Sequence, residues 1–383
     1  MDESHHPWHL LQVSDVLDIE FGSALGERVP LLAWEPKRYF VPFFPEKNTV
    51  RRIAVPPLEV RSFSLLRGYM RVPWRWVART DATVTAQLAR QSKDASQSPL
   101  ICTVPYFAGV AERWPGPVVY WLTDLIAAYN GADSKLVHAL DRRMCKAATL
   151  VCPNSERLAK YLVEVAGCDP ARIQVLPNAT RASNLLAEVP AGPAPLPADA
   201  ADLKRPVAGV IGNLAGNMDW LLLRKLVGLT PWMDWLFVGP TSMPISNEEH
   251  SQARADMMQH PNARFVGPKP YGALAAYARS FHVAVLPYLR QEPTYSGSST
   301  RFYEHLAACR PMIATRGFAE LLSLEPLLRA VDSAEDAAEV LQTLHAKGFE
   351  DGFAQLRWAA SRNGTWQVRA QTMQEALGKR WPG

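Results

Sequence analysis

Short apolar runs alternate with stretches of helical periodicity along most of the 383 residues. Runs at 9–13, 29–34, 52–55, 100–104, 117–122, 149–152 and 173–176 predict strands, and 82–91, 133–147 and 155–166 predict helices. In the last of these, Leu158, Tyr161, Leu162 and Val165 recur at helical spacing behind Asn154 or Ser155 as N-cap. Continuous Val/Ile/Leu runs followed by helices fit parallel strands buried on both faces. Residues 187–206 hold five prolines (190, 193, 195, 197 and 206) and predict an exposed, semi-extended linker. Beyond it a second series begins, with strands at 207–211, 235–238, 264–266, 282–286 and 312–315 and helices at 219–229, 248–259, 271–280 and 300–308. The expected fold is α/β, with two Rossmann-like, doubly wound domains facing a cleft: 1–186, the linker 187–206, and 207–362.

Composition narrows the class. Hydrophobic residues make up 48% and charged residues 20%, which suits a globular protein and excludes a disordered or fibrous one. The net charge of +4 is too small for a nucleic-acid coat protein, so no nucleic-acid partner is expected. No run reaches the ~18–20 apolar residues of a membrane span. The start, MDESHHPWHL, lacks the apolar core of a secretory signal. Five cysteines with no CxxC pair point away from structural zinc and disulfides and toward a reducing, cytoplasmic compartment. The 12 tryptophans suggest surfaces that face a ligand or a membrane.

Charge is uneven near the start. Residues 1–50 carry a local −4 and residues 51–80 a local +6. Within RSFSLLRGYMRVPWRWVAR, Arg67, Arg71, Arg75 and Arg79 recur every four residues, interleaved with Tyr69, Met70, Trp74 and Trp76. That composition suits peripheral docking on an anionic membrane, on the inner face. The plainer reading is a helix and loop that packs its apolar residues and leaves arginines in water, as most basic faces do.

The most informative stretch is YLRQEPTYSGSSTRFYEHLAACRP, which leaves a buried strand, crosses a polar loop and enters a helix. Ser298, Ser299 or Thr300 would cap that helix, whose free N–H groups and dipole suit phosphate. Arg301 adds fork-shaped donors in the first turn. Glu304, on the same face, could accept ribose hydroxyls, or simply pair with Arg301. A second loop, from Gly212 and Asn213 to Asp219, offers glycine backbone to an anion, or is an ordinary βα turn. Asp124 ends a strand where a carboxylate could act as general base or as a turn cap. Asp15, Asp18 and Glu20 form a weaker acidic set, and the absence of an Asp-x-Asp motif favours metal-free handling of phosphates. His5, His6 and His9 fit a solvated tail, and His138, His282 and His305 fit packed or exposed positions.

From about residue 100 to 380 the chain resembles the GT-B glycosyltransferases, through PVVYWLTD, ALDRRMCKAATLVCPNSERLAKYL, IQVLPNAT, VAGVIGNLAGNMDWLLL, ARFVGPKPYGALAAYARSFHVAVLPY, SSTRFYEHLAACRPMIAT and NGTWQVRAQTM in family order. It is similar to the large family-four group and to xanthan-type glucuronosyltransferases. The resemblance implies an N-terminal acceptor domain, a C-terminal donor domain, and a helix over 363–383 that returns to the first. It implies that Gly212, Asn213, Ser299, Thr300 and Arg301 hold a donor diphosphate, Glu304 the ribose, and Val266, Gly267 and Tyr288 the base. Asp124 matches the base of the xanthan-type inverting enzymes. Ser296 stands where the family-four E-x7-E motif has its first glutamate. The remaining candidates, Asp18, Glu20, Arg71, Trp74, Arg75 and Trp76, fall on the acceptor or membrane side. The expected activity is metal-independent transfer of a sugar from a nucleotide diphosphate, UDP favoured, to a hydroxyl of a glycan or lipid-linked saccharide in surface polysaccharide synthesis. No cofactor is expected beyond this nucleotide-sugar co-substrate. A nucleotide-sugar epimerase and a catalytically degenerate binding module are the alternatives.

Overall fold

A computed structural model describes residues 6–13, 16–39, 58–66 and 74–381. The expected strand at 52–55, together with His5, Asp15, Arg67 and Arg71, lies outside them. The chain divides into two compact units, Met1–Pro177 with Trp366–Gly383, and Asn178–Thr365.

In the first unit the apolar runs become β1 (Trp8–Leu11), β2 (Leu31–Tyr39), β3 (Val60–Leu66), β4 (Leu100–Cys102), β5 (Val118–Leu122) and β6 (Leu150–Pro153). All pair in parallel, in the order β3-β2-β1-β4-β5-β6. Parallel pairing needs crossovers. These include α1 (Val16–Gly26), α2 (Trp74–Ala89), the single turn α3 (Ala108–Ala111) and α4 (Ser134–Ala147), with α5 (Glu156–Glu164) after β6. Asp133 caps α4 by accepting from Leu136 N, and Ser155 caps α5 by accepting from Leu158 N. Every residue of β5 is buried, as a strand covered on both faces requires.

The second unit repeats the plan. Its strands are β7 (Val207–Ile211), β8 (Asp234–Val238), β9 (Ala263–Phe265), β10 (Val283–Leu286), β11 (Met312–Ala314) and β12 (Arg329–Ala330), in the parallel order β12-β11-β10-β7-β8-β9. Its helices are α6 (Trp220–Leu229), α7 (Glu248–Met258), α8 (Leu274–Ser280), α9 (Thr300–Ala308), α10 (Ala334–Ala346) and α11 (Ala354–Arg362). Successive residues of β8 feed opposite cores. Trp235 and Phe237 join Leu223 and Val283 on one face, while Leu236 and Val238 join Ala278 and Phe281 on the other. The final helix, α12 (Trp366–Arg380), packs on α1 in the first unit, with the Trp366 ring 6.4 Å from Phe21.

Several expectations change. Trp34, Trp121, Trp220, Trp235 and Trp366 are fully buried, so these tryptophans build core and do not face a ligand or membrane. Truncating one to alanine would cost about 3–5 kcal/mol. His9 is no solvated tail. It is wholly buried, accepts from Trp34 Nε1 at 3.0 Å, and burial followed by the Arg61 charge lowers its pKa to about 4. Helix α1 escaped the sequence reading because it is buried almost all round and shows no polar stripe. Residues 61–66 of the arginine-rich stretch lie in strand β3, and Arg75 and Arg79 share helix α2; Arg67 and Arg71 lie outside the described residues. Residues 173–176 make one bridge, Val151 to Ile173, beside β6 and no strand. The segment 187–206 is not a free linker. Ala200 is fully buried with Val207 and Phe281, and Asp199 accepts from Tyr277 Oη at 2.8 Å and pairs with Lys269 at 2.6 Å.

Candidate active site

Both strand orders reverse once, between β1 and β4 and between β7 and β10. Ligands of open α/β sheets bind at such reversals, beyond the carboxyl ends of the strands. In the second unit the loops after β7 and β10 are zipped together there. Met218 and Tyr288 form an antiparallel bridge, Leu289 N donates to Asn217 O at 2.9 Å, and Asp219 N donates to Pro287 O at 2.7 Å.

Glycine shapes this edge. Gly212, Gly239 and Gly267, just past β7, β8 and β9, have φ of +153°, +151° and +70°. A Cβ on Gly239 would lie 1.7 Å from the Gly212 carbonyl oxygen, so no side chain fits. Gly239 N donates to Gly267 O at 3.0 Å, and Val266 N to Phe237 O at 3.1 Å. Val266 and Gly267 therefore share one sheet edge with Gly212, while Val266 also packs against the Ile211 and Val238 core. The sequence reading missed Gly239; its signal is the glycine that directly follows the apolar run DWLFV.

A Cβ at Gly212 would lie 3.6 Å from Tyr288 Oη and 3.7 Å from Arg301 Nε, so backbone, phenol and guanidinium converge. Arg301 Nη1 donates to Glu304 Oε2, and the side chains are 23% and 3% exposed. The expected ion pair forms, but largely buried and not on an open helix face. Burial disfavours the Arg301 charge; the Glu304 carboxylate, with Tyr271 and Tyr288 nearby, outweighs it and raises the pKa. Nε and Nη2 carry no hydrogen bond among the described residues. Burial pushes the Tyr288 hydroxyl up to about 12, with Arg301 opposing and Glu304 adding. Asn213 is exposed and donates from Nδ2 to Met243 Sδ.

The start of α9 is more occupied than its sequence suggests. Ser299 is the cap, accepting from Phe302 N. Its own N–H donates to Glu320 Oε2 at 3.0 Å, and Tyr303 Oη donates to Glu320 Oε1 at 2.6 Å. Asn178 N donates to Ser298 Oγ at 3.0 Å, and Asn178 Nδ2 donates to Ser298 O at 2.8 Å and to Thr300 Oγ1 at 3.0 Å. The N–H groups of Thr300 and Arg301 keep no protein partner among the described residues. Glu320 and Asn178 lie far from this helix in sequence and no local motif marks them. Ser296 donates its hydroxyl to Glu292 Oε1 at 2.8 Å, so a carboxylate four residues upstream reaches the position where the motif lacks one.

In the first unit, a cavity of about 400 Å³ opens beyond β4 and β5. Asp18 and Asp124 both line it, with Thr103, Tyr106, Tyr129 and Asn130. Glu20 is buried on α1 and does not line it. Asn154 Nδ2 donates to Thr123 O at 2.6 Å and fixes the strand end that carries Asp124. On α2, Arg75 and Trp76 are exposed, with the Arg79 guanidinium 6.0 Å from the Trp76 ring. The Trp74 side chain lies outside the described residues. Among the described residues no helix is long and apolar enough to cross a membrane. His305 is buried, and burial followed by the Arg301 charge lowers its pKa to about 3.

No protein-family model matches this chain. No curated protein matches it either. Solved structures do. An Anabaena protein, HepE, in complex with UDP and glucose, superposes with a TM-score of 0.69 at 14% identity, over 98% of this chain and 100% of that one. A glycosyltransferase from Rickettsia africae gives 0.71 at 13% identity, over 98% of each. The lipopolysaccharide outer core galactosyltransferase WaaB gives 0.64 at 8% identity, over 98% and 99%. The chain thus has the fold of GT-B glycosyltransferases, two Rossmann-type units with six parallel strands each.

Proposed function

We propose that this protein is a glycosyltransferase that moves a sugar from a UDP-sugar to a hydroxyl of a glycan or lipid-linked saccharide. The observation that carries the reading is the convergence of the Gly212 backbone, Tyr288 and the open donors of Arg301 at the strand reversal of the second unit. HepE holds UDP on the same fold, and WaaB builds lipopolysaccharide, which favours a UDP donor and a role in surface polysaccharide synthesis.

On this reading, the diphosphate lies against Gly212, Asn213 and the start of α9. Arg301 turns its free Nε and Nη2 donors to it and stabilises the charge that develops as the glycosidic bond breaks, without a metal. The ribose hydroxyls donate to Glu304, and the base lies by Val266, Gly267 and Tyr288. Asp124 takes the proton of the attacking acceptor hydroxyl in the inverting, xanthan-like manner. Arg75 and Trp76, exposed on α2, favour a peripheral contact with anionic membrane.

Titration calorimetry with UDP tests the donor site. Arg301→Ala should weaken UDP binding by about tenfold or more, the worth of a charge-assisted hydrogen bond. Unchanged affinity would remove the diphosphate assignment. Asp124→Asn should retain UDP binding and abolish both transfer and slow donor hydrolysis; retained turnover would remove the base.

A further inference from the structure

Two of the five free cysteines, Cys145 and Cys168, meet in the core of the first unit. Cys145 lies in the last turn of α4 and Cys168 just past α5, and each is 4% exposed. Gly167, at φ +66°, takes the left-handed conformation that ends a helix, and Cys168 N donates back to Leu162 O at 2.9 Å, which folds Cys168 inward. Two arginines set the register of this loop on α4. Arg142 Nη1 donates to Val165 O at 3.2 Å, and Arg172 Nη1 donates to Ala148 O at 3.3 Å. These two crossings bracket Cys145 on one side and Cys168 on the other, so the thiols face each other between them. There the Cys145 thiol donates to the Cys168 sulfur.

That hydrogen bond lowers the Cys168 thiol against the opposing effect of burial, and the Arg172 charge adds to it. The same bond raises Cys145, and burial adds to that. Burial raises Cys102 to about 12 and Cys309 to about 11, and raises Cys152 as well. Cys168 is thus the cysteine placed to react as thiolate. Exposed Gly167 and Asp169 flank it, so it sits directly beneath the surface.

We infer that Cys145 and Cys168 form a peroxide-sensitive dithiol site that closes to a disulfide, with Cys168 attacking and Cys145 resolving. The Cys168 sulfur attacks one oxygen of hydrogen peroxide; the O–O bond breaks, an S–O bond forms, and the departing hydroxide leaves as water with the Cys168 proton. The Cys145 sulfur then attacks the Cys168 sulfur; the S–O bond breaks, the S–S bond forms, and a second water leaves with the Cys145 proton. The two thiols lose two electrons and the peroxide gains them. This chemistry involves neither strand reversal and stands apart from sugar transfer.

The test treats the reduced full chain with a small molar excess of hydrogen peroxide, blocks remaining thiols with N-ethylmaleimide, and reads tryptic peptides without reductant by mass spectrometry. MCK, which carries Cys145, and YLVEVAGCDPAR, which carries Cys168, should appear joined. They should form at least about tenfold faster than any oxidation of Cys102, Cys152 or Cys309. Cys145→Ser should leave a sulfenic acid on Cys168 that dimedone captures, and Cys168→Ser should leave Cys145 unoxidised. No joined peptide from the wild-type chain, equal oxidation of the other three cysteines, or a dimedone adduct on Cys145 in Cys168→Ser would overturn the site.

Discussion

An alanine at position 239 would press its Cβ to within 1.7 Å of the Gly212 carbonyl oxygen and 2.9 Å of its carbon. Both obstacles are backbone, so no rotamer change relieves them. The backbone at 239 is also at φ +151°, outside the range that side chains favour. A sparsely populated conformation costs about 1–3 kcal/mol and overpacking about 1–3 kcal/mol more. Because the Gly212 strand end itself must move, the expected loss for Gly239→Ala is about 3–5 kcal/mol. For a unit of this size, that lowers the melting temperature by about 6–20 °C. Differential scanning calorimetry measures it, with Gly228→Ala as control. Gly228 lies in α6 with nothing within 4 Å of its absent Cβ, so alanine there should gain up to about 0.5–1 kcal/mol. The shift should fall on the second unit, and any UDP-induced rise in melting temperature should vanish with it. A Gly239→Ala chain melting within about 2 °C of wild type would refute the claim that these strand ends touch.

Three further outcomes follow from buried polar groups. Arg357 is 1% exposed and donates to Asp351 Oδ1 at 3.0 Å and to Leu327 O at 2.7 Å. Asp351→Ala should cost about 3–5 kcal/mol by stranding the guanidinium, and adding Arg357→Met should recover part of it; urea midpoints that are equal for the single and double variants would contradict this. Asn178→Ala removes the two hydrogen bonds that Nδ2 donates to Ser298 O and Thr300 Oγ1, so hydrogen exchange at the start of α9 should quicken and UDP binding weaken by about threefold to tenfold. Unaltered exchange there would show that Asn178 does not hold the loop. Finally, His9 and His305 are buried with pKa lowered to about 4 and about 3 from 6.5. The unfolded chain binds these protons first, so their contribution to stability is complete above pH 6.5. It falls by about 1.4 kcal/mol per pH unit for each histidine as pH drops toward 4 and 3. Replacing His305 with leucine should flatten urea stability between pH 6.5 and 4, and a slope identical to wild type would refute its neutral burial.

The sequence determined the secondary plan almost unaided where runs were long and uniformly apolar. Residues 207–211 and 300–308 form a strand and a helix over the expected spans, because a strand buried on both faces shows an unbroken apolar run and a capped helix announces its start. Two-lobed α/β architecture followed from that alternation. Local pattern failed where burial erased it. Helix α1 has no polar face to mark a period, and the proline-rich stretch at 187–206 packs through Ala200, which no local rule singles out. Asp124, Gly212, Arg301 and Glu304 stood out in the chain because they end strands or begin helices. Their neighbours did not. Gly239, Asn178 and Glu320 reach the same edge from 27, 122 and 21 residues away from Gly212, Thr300 and Ser299, and Asp18 meets Asp124 across 106 residues. Sequence spacing carries the geometry of one turn or one strand; which distant carboxylates, amides and glycines share a strand end is set by the order in which parallel strands pair, and only the folded chain contains that order.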